Sequence, residues 1–162
     1  MAVAMMSWLL AIPMLGITTG LRTFTPMALI CWFAWLGYLP VDGTWAMWTG
    51  RLPVAIGLTV LAVAELIADK LPRVPNRTAP GPLLARVVFG GLAGSIAATS
   101  INGPGVEGVM LGVVGALLGA FAGFMIRRDA VKNLCCADWP IALTEDAFAI
   151  LVAGFALHVI TG

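Results

Sequence analysis

The amino-acid sequence predicts an all-α fold: a polytopic transmembrane helical bundle of five to six spans with a broken first hydrophobic stretch. Three observations carry that expectation. First, the 162 residues are 60% hydrophobic, have a mean hydropathy of +1.00, and are only 10% charged, where a soluble domain carries about 25%. So little charge cannot cover a water-facing surface, and the lipid bilayer is the expected solvent. Second, four later apolar segments have the length of about 20 residues that crosses a hydrocarbon core of about 30 Å. Third, basic residues concentrate at alternate connections, as the positive-inside rule requires. The chain reads as a single transmembrane domain over 1–162. Its halves, 1–78 and 79–162, would enter the membrane from opposite sides, which is the topology of inverted repeats. No residue-level similarity between the halves accompanies that topology.

The first stretch, Met5–Tyr38, would be about 50 Å long as one helix at about 1.5 Å per residue. Gly20-Leu-Arg-Thr-Phe-Thr-Pro26 interrupts it. Thr25 suits an N-cap and Pro26 a first helical position. The expected division is Ala2–Thr19 and Pro26–Tyr38 with a tight turn at Arg22. A single broken or re-entrant helix is the alternative, and it decides on which side the N-terminus lies. Met1–Met6 has no basic region and no small-residue cleavage site after it, so it reads as a retained membrane segment.

The later spans are expected at Leu52–Leu71, Pro82–Ile101, Val106–Ile126 and Trp139–Ile160. Pro72, the Asn102-Gly-Pro-Gly105 turn and Arg127-Arg128-Asp129 separate them. Arg22, then Lys70, Arg73, Arg77 and Arg86, then Arg127, Arg128 and Lys132 would face the cytoplasm. Trp8, Trp45 and Trp48 would mark the outer interface. Gly90 and Gly94 on one span, and Gly108, Gly112, Gly115, Gly119 and Gly123 on the next, recur every three or four residues. Such a glycine-zipper spacing lets backbones approach closely. It predicts packing within the chain or a homodimer seam.

Charge inside a bilayer costs about 2.5–3.5 kcal/mol per residue near a helix centre, so the few charges define the candidate site. Glu65 and Asp69 are four residues apart and share a helix face. Lys70 can snorkel beside them, and Arg73 and Arg77 follow in a Pro-rich loop. Arg22, Thr23 and Thr25 stand at the break, with the next helix N-terminus pointing at them. That arrangement suits an anion or carboxylate, unless Arg22 pairs internally with Glu65 or Glu145. Glu145 and Asp146 open the last span, where the helix dipole favours acids. They point about 100° apart, so one can face the bundle while the other faces the interface. These ten residues are candidate binding residues. They would form either structural ion pairs or a proton, cation or ligand site.

Several classes are disfavoured. No P-loop, H-E-x-x-H or nucleophile elbow is present. No catalytic residue, metal set or cofactor is expected. A net charge of +1 gives no reason to expect nucleic acid. Cys135 and Cys136 lack a second ligand pair at zinc spacing and read as free thiols.

The segments Gly20-Leu-Arg-Thr-Phe-Thr-Pro26, Glu65-Leu-Ile-Ala-Asp-Lys-Leu-Pro72 and Thr144-Glu-Asp-Ala147 resemble an uncharacterised bacterial membrane-protein family, domain of unknown function 4126. The resemblance covers nearly the whole chain and implies a small multi-pass protein of the bacterial inner membrane. It implies no activity and no site residues. The leading expectation is therefore a small transporter or channel-like protein. Its polar site would open toward the cytoplasm, with the bilayer, a small ion or metabolite, and a second copy of itself as partners. The alternatives are a membrane enzyme acting on a lipid headgroup and a non-catalytic assembly subunit. An enzyme is the less favoured class.

Overall fold

The computed structural model describes residues 2–69, 79–134 and 138–162, with side chains described over 8–69, 79–129 and 142–162. Among the described residues six α-helices follow in order: α1 (Ala2–Leu21), α2 (Phe24–Trp35), α3 (Leu52–Ala68), α4 (Pro80–Ser100), α5 (Gly105–Leu134) and α6 (Asp138–Thr161). A 3-10 turn, Trp45–Gly50, precedes α3. No strand occurs among the described residues.

The first hydrophobic stretch is broken at Arg22, as its sequence suggests, but the boundaries differ. α1 continues through Leu21, and α2 begins at Phe24 behind Thr23 as N-cap. Thr25 is therefore not the cap, and Pro26 is the third residue of the helix, within its first turn. First-turn N–H groups have no helical partner, so the one Pro26 lacks is not missed. α5 runs eight residues past Ile126, because Arg127-Arg128-Asp129 contains no helix breaker. α3 stops at Ala68, with Asp69 as its C-cap. The α4–α5 turn is sharp: Asn102 has a φ of 55°, a left-handed conformation Asn tolerates after a helix end.

Close approach of backbones organises the centre. A Cβ added at Gly16 of α1 would lie 2.5 Å from the Gly112 carbonyl oxygen, and one at Gly94 of α4 would lie 3.1 Å from Gly112 Cα. Gly20 packs on Ala116, Gly119 and Ala120, and Gly90 faces Gly112. α1 thus runs parallel to α5, and α4 antiparallel to it. The glycine spacing is used for packing inside the chain, the first of its two expected uses. Phe24 at the start of α2 packs edge-on against Phe89 of α4, ring centroids 5.2 Å apart, and Trp45 Nε1 donates to Thr99 Oγ1 at 3.2 Å, tying the loop after α2 to the far end of α4. α3 packs mainly on α2, with Trp32 Nε1 donating to Thr59 Oγ1 at 2.9 Å.

The outer surface is apolar. Along α5, Val106, Met110, Val114, Leu118, Phe121 and Met125 form one exposed face. Leu151 of α6 is 72% exposed and Val60 of α3 is 62% exposed. Three helical segments, Pro80–Ser100, Gly105–Asp129 and Ala142–Thr161, are long and apolar enough to cross a membrane. Trp8–Leu21, Phe24–Trp35 and Leu52–Ala68 are shorter apolar segments. These features are those of a membrane protein.

Candidate functional site

The alternating helix directions bring one set of ends together: the C-terminal ends of α1, α3 and α5 and the N-terminal parts of α2, α4 and α6. Each contributes charge or a helix terminus. Arg22, in the α1–α2 break, is the centre. Its side chain is 1% exposed. Its Nε donates to Asp146 Oδ1 at 2.6 Å, and its Nη2 donates to Asp69 Oδ2 at 2.8 Å. The same Asp69 oxygen accepts from Arg127 Nη1 at 2.7 Å. Arg127 Nη1 also stands 3.8 Å from Glu145 Oε2. α1, α3, α5 and α6 are thus cross-linked by one run of ion pairs. Burying an ion costs several kcal/mol, which only close opposite charge and hydrogen bonding offset. Here Arg22 meets Asp146 and Asp69, and Arg127 meets Asp69, as full charges at hydrogen-bond distance, where such bonds are strongest.

The helix ends at the break are held by charge from elsewhere. Glu65 accepts from the backbone N–H groups of Thr23 and Phe24 at 2.8 and 2.9 Å through its two oxygens. A carboxylate at a helix N-terminus meets free donors and a favourable dipole. The anion expected at this terminus is therefore the chain's own Glu65. This explains why Thr23, the N-cap, makes no side-chain cap bond. Arg86 does the reverse at the end of α1. It is buried, and its Nη1 donates to the carbonyl oxygens of Gly20 and Leu21, the latter at 3.0 Å.

Arg22 does not pair with Glu65. Asp69, one turn nearer the helix end, takes the guanidinium, while Glu65 reaches the backbone. Of the two neighbours on α6, Asp146 is buried and turns to Arg22, while Glu145 is half-buried and turns to Arg127. Thr25 is buried in the first turn of α2. The structure thus brings together Arg22, Thr23, Glu65, Asp69, Glu145 and Asp146, with Thr25 adjacent. Lys70, Arg73 and Arg77 lie outside the described residues, as do Cys135 and Cys136.

Two buried polar atoms at the break have no hydrogen-bond partner among the described residues: Arg22 Nη1 and Thr25 Oγ1. Such atoms are rare in native structures, and each calls for an explanation.

Arg86 and Arg127 belong to the site; the sequence reads both as topology-determining charges, and Arg86 also as a possible ion-pair partner of Glu65 and Asp69. A signal for them exists. Arg86, Gly90 and Gly94 are spaced by four on α4, and Gly119, Gly123 and Arg127 are spaced by four on α5. Each arginine therefore prolongs a glycine ridge and shares its buried face. Asp146 likewise continues the buried positions Ala142, Ala149 and Ala153 on α6.

A groove of about 550 Å³ opens beside the cluster, between α1, α5 and α6. Its walls are apolar, including Ile17, Leu21, Ile126 and Phe148, with Gly119 and Gly123 among its lining residues. Arg127, Thr144 and Glu145 supply its polar side chains. Two of these are members of the ion-pair run.

The family model described as Domain of unknown function (DUF4126) matches residues 9–159. The chain belongs to the DUF4126 family. That match contains every described member of the cluster, so the charged site lies within the DUF4126 domain itself. No curated protein matches the chain, and no solved structure does.

Proposed function

We propose that this DUF4126 protein is a multi-pass protein of the bacterial inner membrane, transporter- or channel-like, whose polar site is the cluster around Arg22. The observation that carries the reading is Arg22 Nη1, which has no hydrogen-bond partner among the described residues, in a guanidinium whose side chain is 1% exposed. The other two nitrogens hold carboxylates at 2.6 and 2.8 Å. A network built only to hold helices together gains nothing from leaving a buried charged donor unmatched, since that costs about 1–3 kcal/mol or more. An arriving acceptor, a small anion or a carboxylate, would satisfy it, and Thr25 Oγ1 offers a second contact. The four carboxylates around it are groups that a proton or a monovalent cation could neutralise. A broken helix beside the site is where transporters commonly expose backbone to substrate. Among the described residues the two halves, 1–78 and 79–162, present three helices each, as inverted repeats would. The cytoplasmic placement of the cluster follows from the basic residues at this end.

The test is charge movement in proteoliposomes on a solid-supported membrane, challenged in turn with pH steps, monovalent cations and small carboxylates. The expected result is a transient current for at least one class, lost in Glu65→Gln and in Arg22→Lys. Correctly inserted wild-type protein that gives no current across the set overturns the reading.

A second reading, a non-catalytic assembly subunit, draws on the ion pairs themselves, which cross-link four helices. Stable co-purification with one larger membrane partner, together with silence in the charge-movement assay, would put it first. The lipid-headgroup enzyme draws only on carboxylates lying beside arginines.

A further inference from the structure

The groove between α1, α5 and α6 has a chemistry distinct from the buried centre. Its body is hydrocarbon, and its polar part is Thr144 with a guanidinium and a carboxylate standing 3.8 Å apart, Arg127 Nη1 and Glu145 Oε2, the same Nη1 also donating to Asp69 Oδ2 at 2.7 Å. From Gly119 to Arg127 the α5 wall is eight residues long, about 12 Å. α1 packs closely along α5, whereas α5 and α6 touch sparsely, and this splay opens the groove to the side. Phe148 and Ile126 on its rim are 54% and 69% exposed. In a bilayer this opening faces lipid, so the available occupant has an apolar body. Occupants of such sites are held by apolar walls and oriented by a few placed polar groups.

The polar end selects the class. A lone arginine would favour any anionic headgroup. An arginine beside a carboxylate favours a headgroup carrying both signs, because a purely anionic one brings like charge against Glu145. We infer that the groove binds one zwitterionic aminophospholipid, with an acyl chain along Leu21, Gly123, Ile126 and Phe148, its phosphate at Arg127 and its primary ammonium at Glu145. Thr144 adds a hydroxyl beside the headgroup. The inference concerns binding alone and rests on the groove, so it stands or falls separately from the transport reading.

The experiment is native mass spectrometry of the full chain released from detergent, titrated with phosphatidylethanolamine or phosphatidylglycerol of matched acyl chains. One phosphatidylethanolamine per chain is expected, preferred over phosphatidylglycerol by about tenfold, the equivalent of about 1.4 kcal/mol. Ala122→Trp, which fills the groove from its exposed wall, should abolish that adduct. Glu145→Gln should bring the preference close to one. Wild-type protein supplies an arm that needs no variant: phosphatidylethanolamine with a photoactivatable acyl chain should label 119–126 and 144–148. Equal or stronger binding of phosphatidylglycerol to wild type overturns the inference. So does labelling confined to other helices, or an adduct that survives Ala122→Trp. Dimerisation that this substitution abolishes would assign the groove to a second copy of the chain and also overturn it.

Discussion

The centre and the charged end of this molecule join helices by opposite means. Along α1, α4 and α5, contact comes from missing side chains, and nothing is left between backbones. At the charged end, contact comes from long side chains that reach across, Arg22 to two aspartates and Arg127 to a third helix. The first kind has no alternative partner, because a Cβ at Gly112 would meet the Gly90 carbonyl. The second can exchange partners, because a guanidinium has five N–H donors and a carboxylate two oxygens. In lipid, where helices gain little from hydrophobic association, both devices are needed. The glycine seam sets the rigid register, and the adjustable chemistry collects beside it.

The largest predicted effect breaks the charged end. Arg22→Ala takes the central guanidinium from Asp146 and from Asp69, which keeps its bond to Arg127, and should cost about 3–5 kcal/mol, read as loss of thermal stability in detergent or failure to insert. Next, Gly112→Ala breaks the seam, and overpacking of this kind should cost about 1–3 kcal/mol or more. An unchanged melting temperature for Gly112→Ala would remove the seam from the account. Glu65→Gln sharpens the view of the break. It keeps one acceptor for the α2 terminus and loses the charge, so the loss should be about 1–2 kcal/mol. Backbone amide exchange should rise first in the opening turn of α2. The smallest effect runs the other way. Gly154 lies within α6 with open space around its missing Cβ, so Gly154→Ala should stabilise by about 0.5–1 kcal/mol. The sign difference between Gly112 and Gly154 in the same assay separates packed glycines from permissive ones.

Much of this was legible in the sequence, for specific reasons. Apolar length and Pro/Gly punctuation placed α3 to α6, and Gly20 through Pro26 located the break. The shared face of Glu65 and Asp69 followed from helical spacing. What periodicity could not supply was partner choice, because that depends on helix packing order. Arg22 was open to Glu65 or Glu145 and instead met Asp69 and Asp146. Glu65 went to backbone N–H groups, which carry no sequence signature. Arg127 was masked by its place near a helix end, where basic residues usually report only topology, and Arg86 was legible only as a possible partner for Glu65 and Asp69. Their spacing of four from Gly90 and Gly123 held the missing information. A charge that extends a small-residue ridge is on the buried face, whatever its distance from the helix end.

Arg22, Asp69, Asp146 and Arg127 form one coupled network. The most direct test is a double-mutant cycle of Arg22→Gln and Asp146→Asn, followed by thermal unfolding in detergent. Coupling predicts that the double variant loses less stability than the two single losses added, by about 1–3 kcal/mol. Strict additivity would mean that Arg22 and Asp146 act independently, and the network account would be wrong.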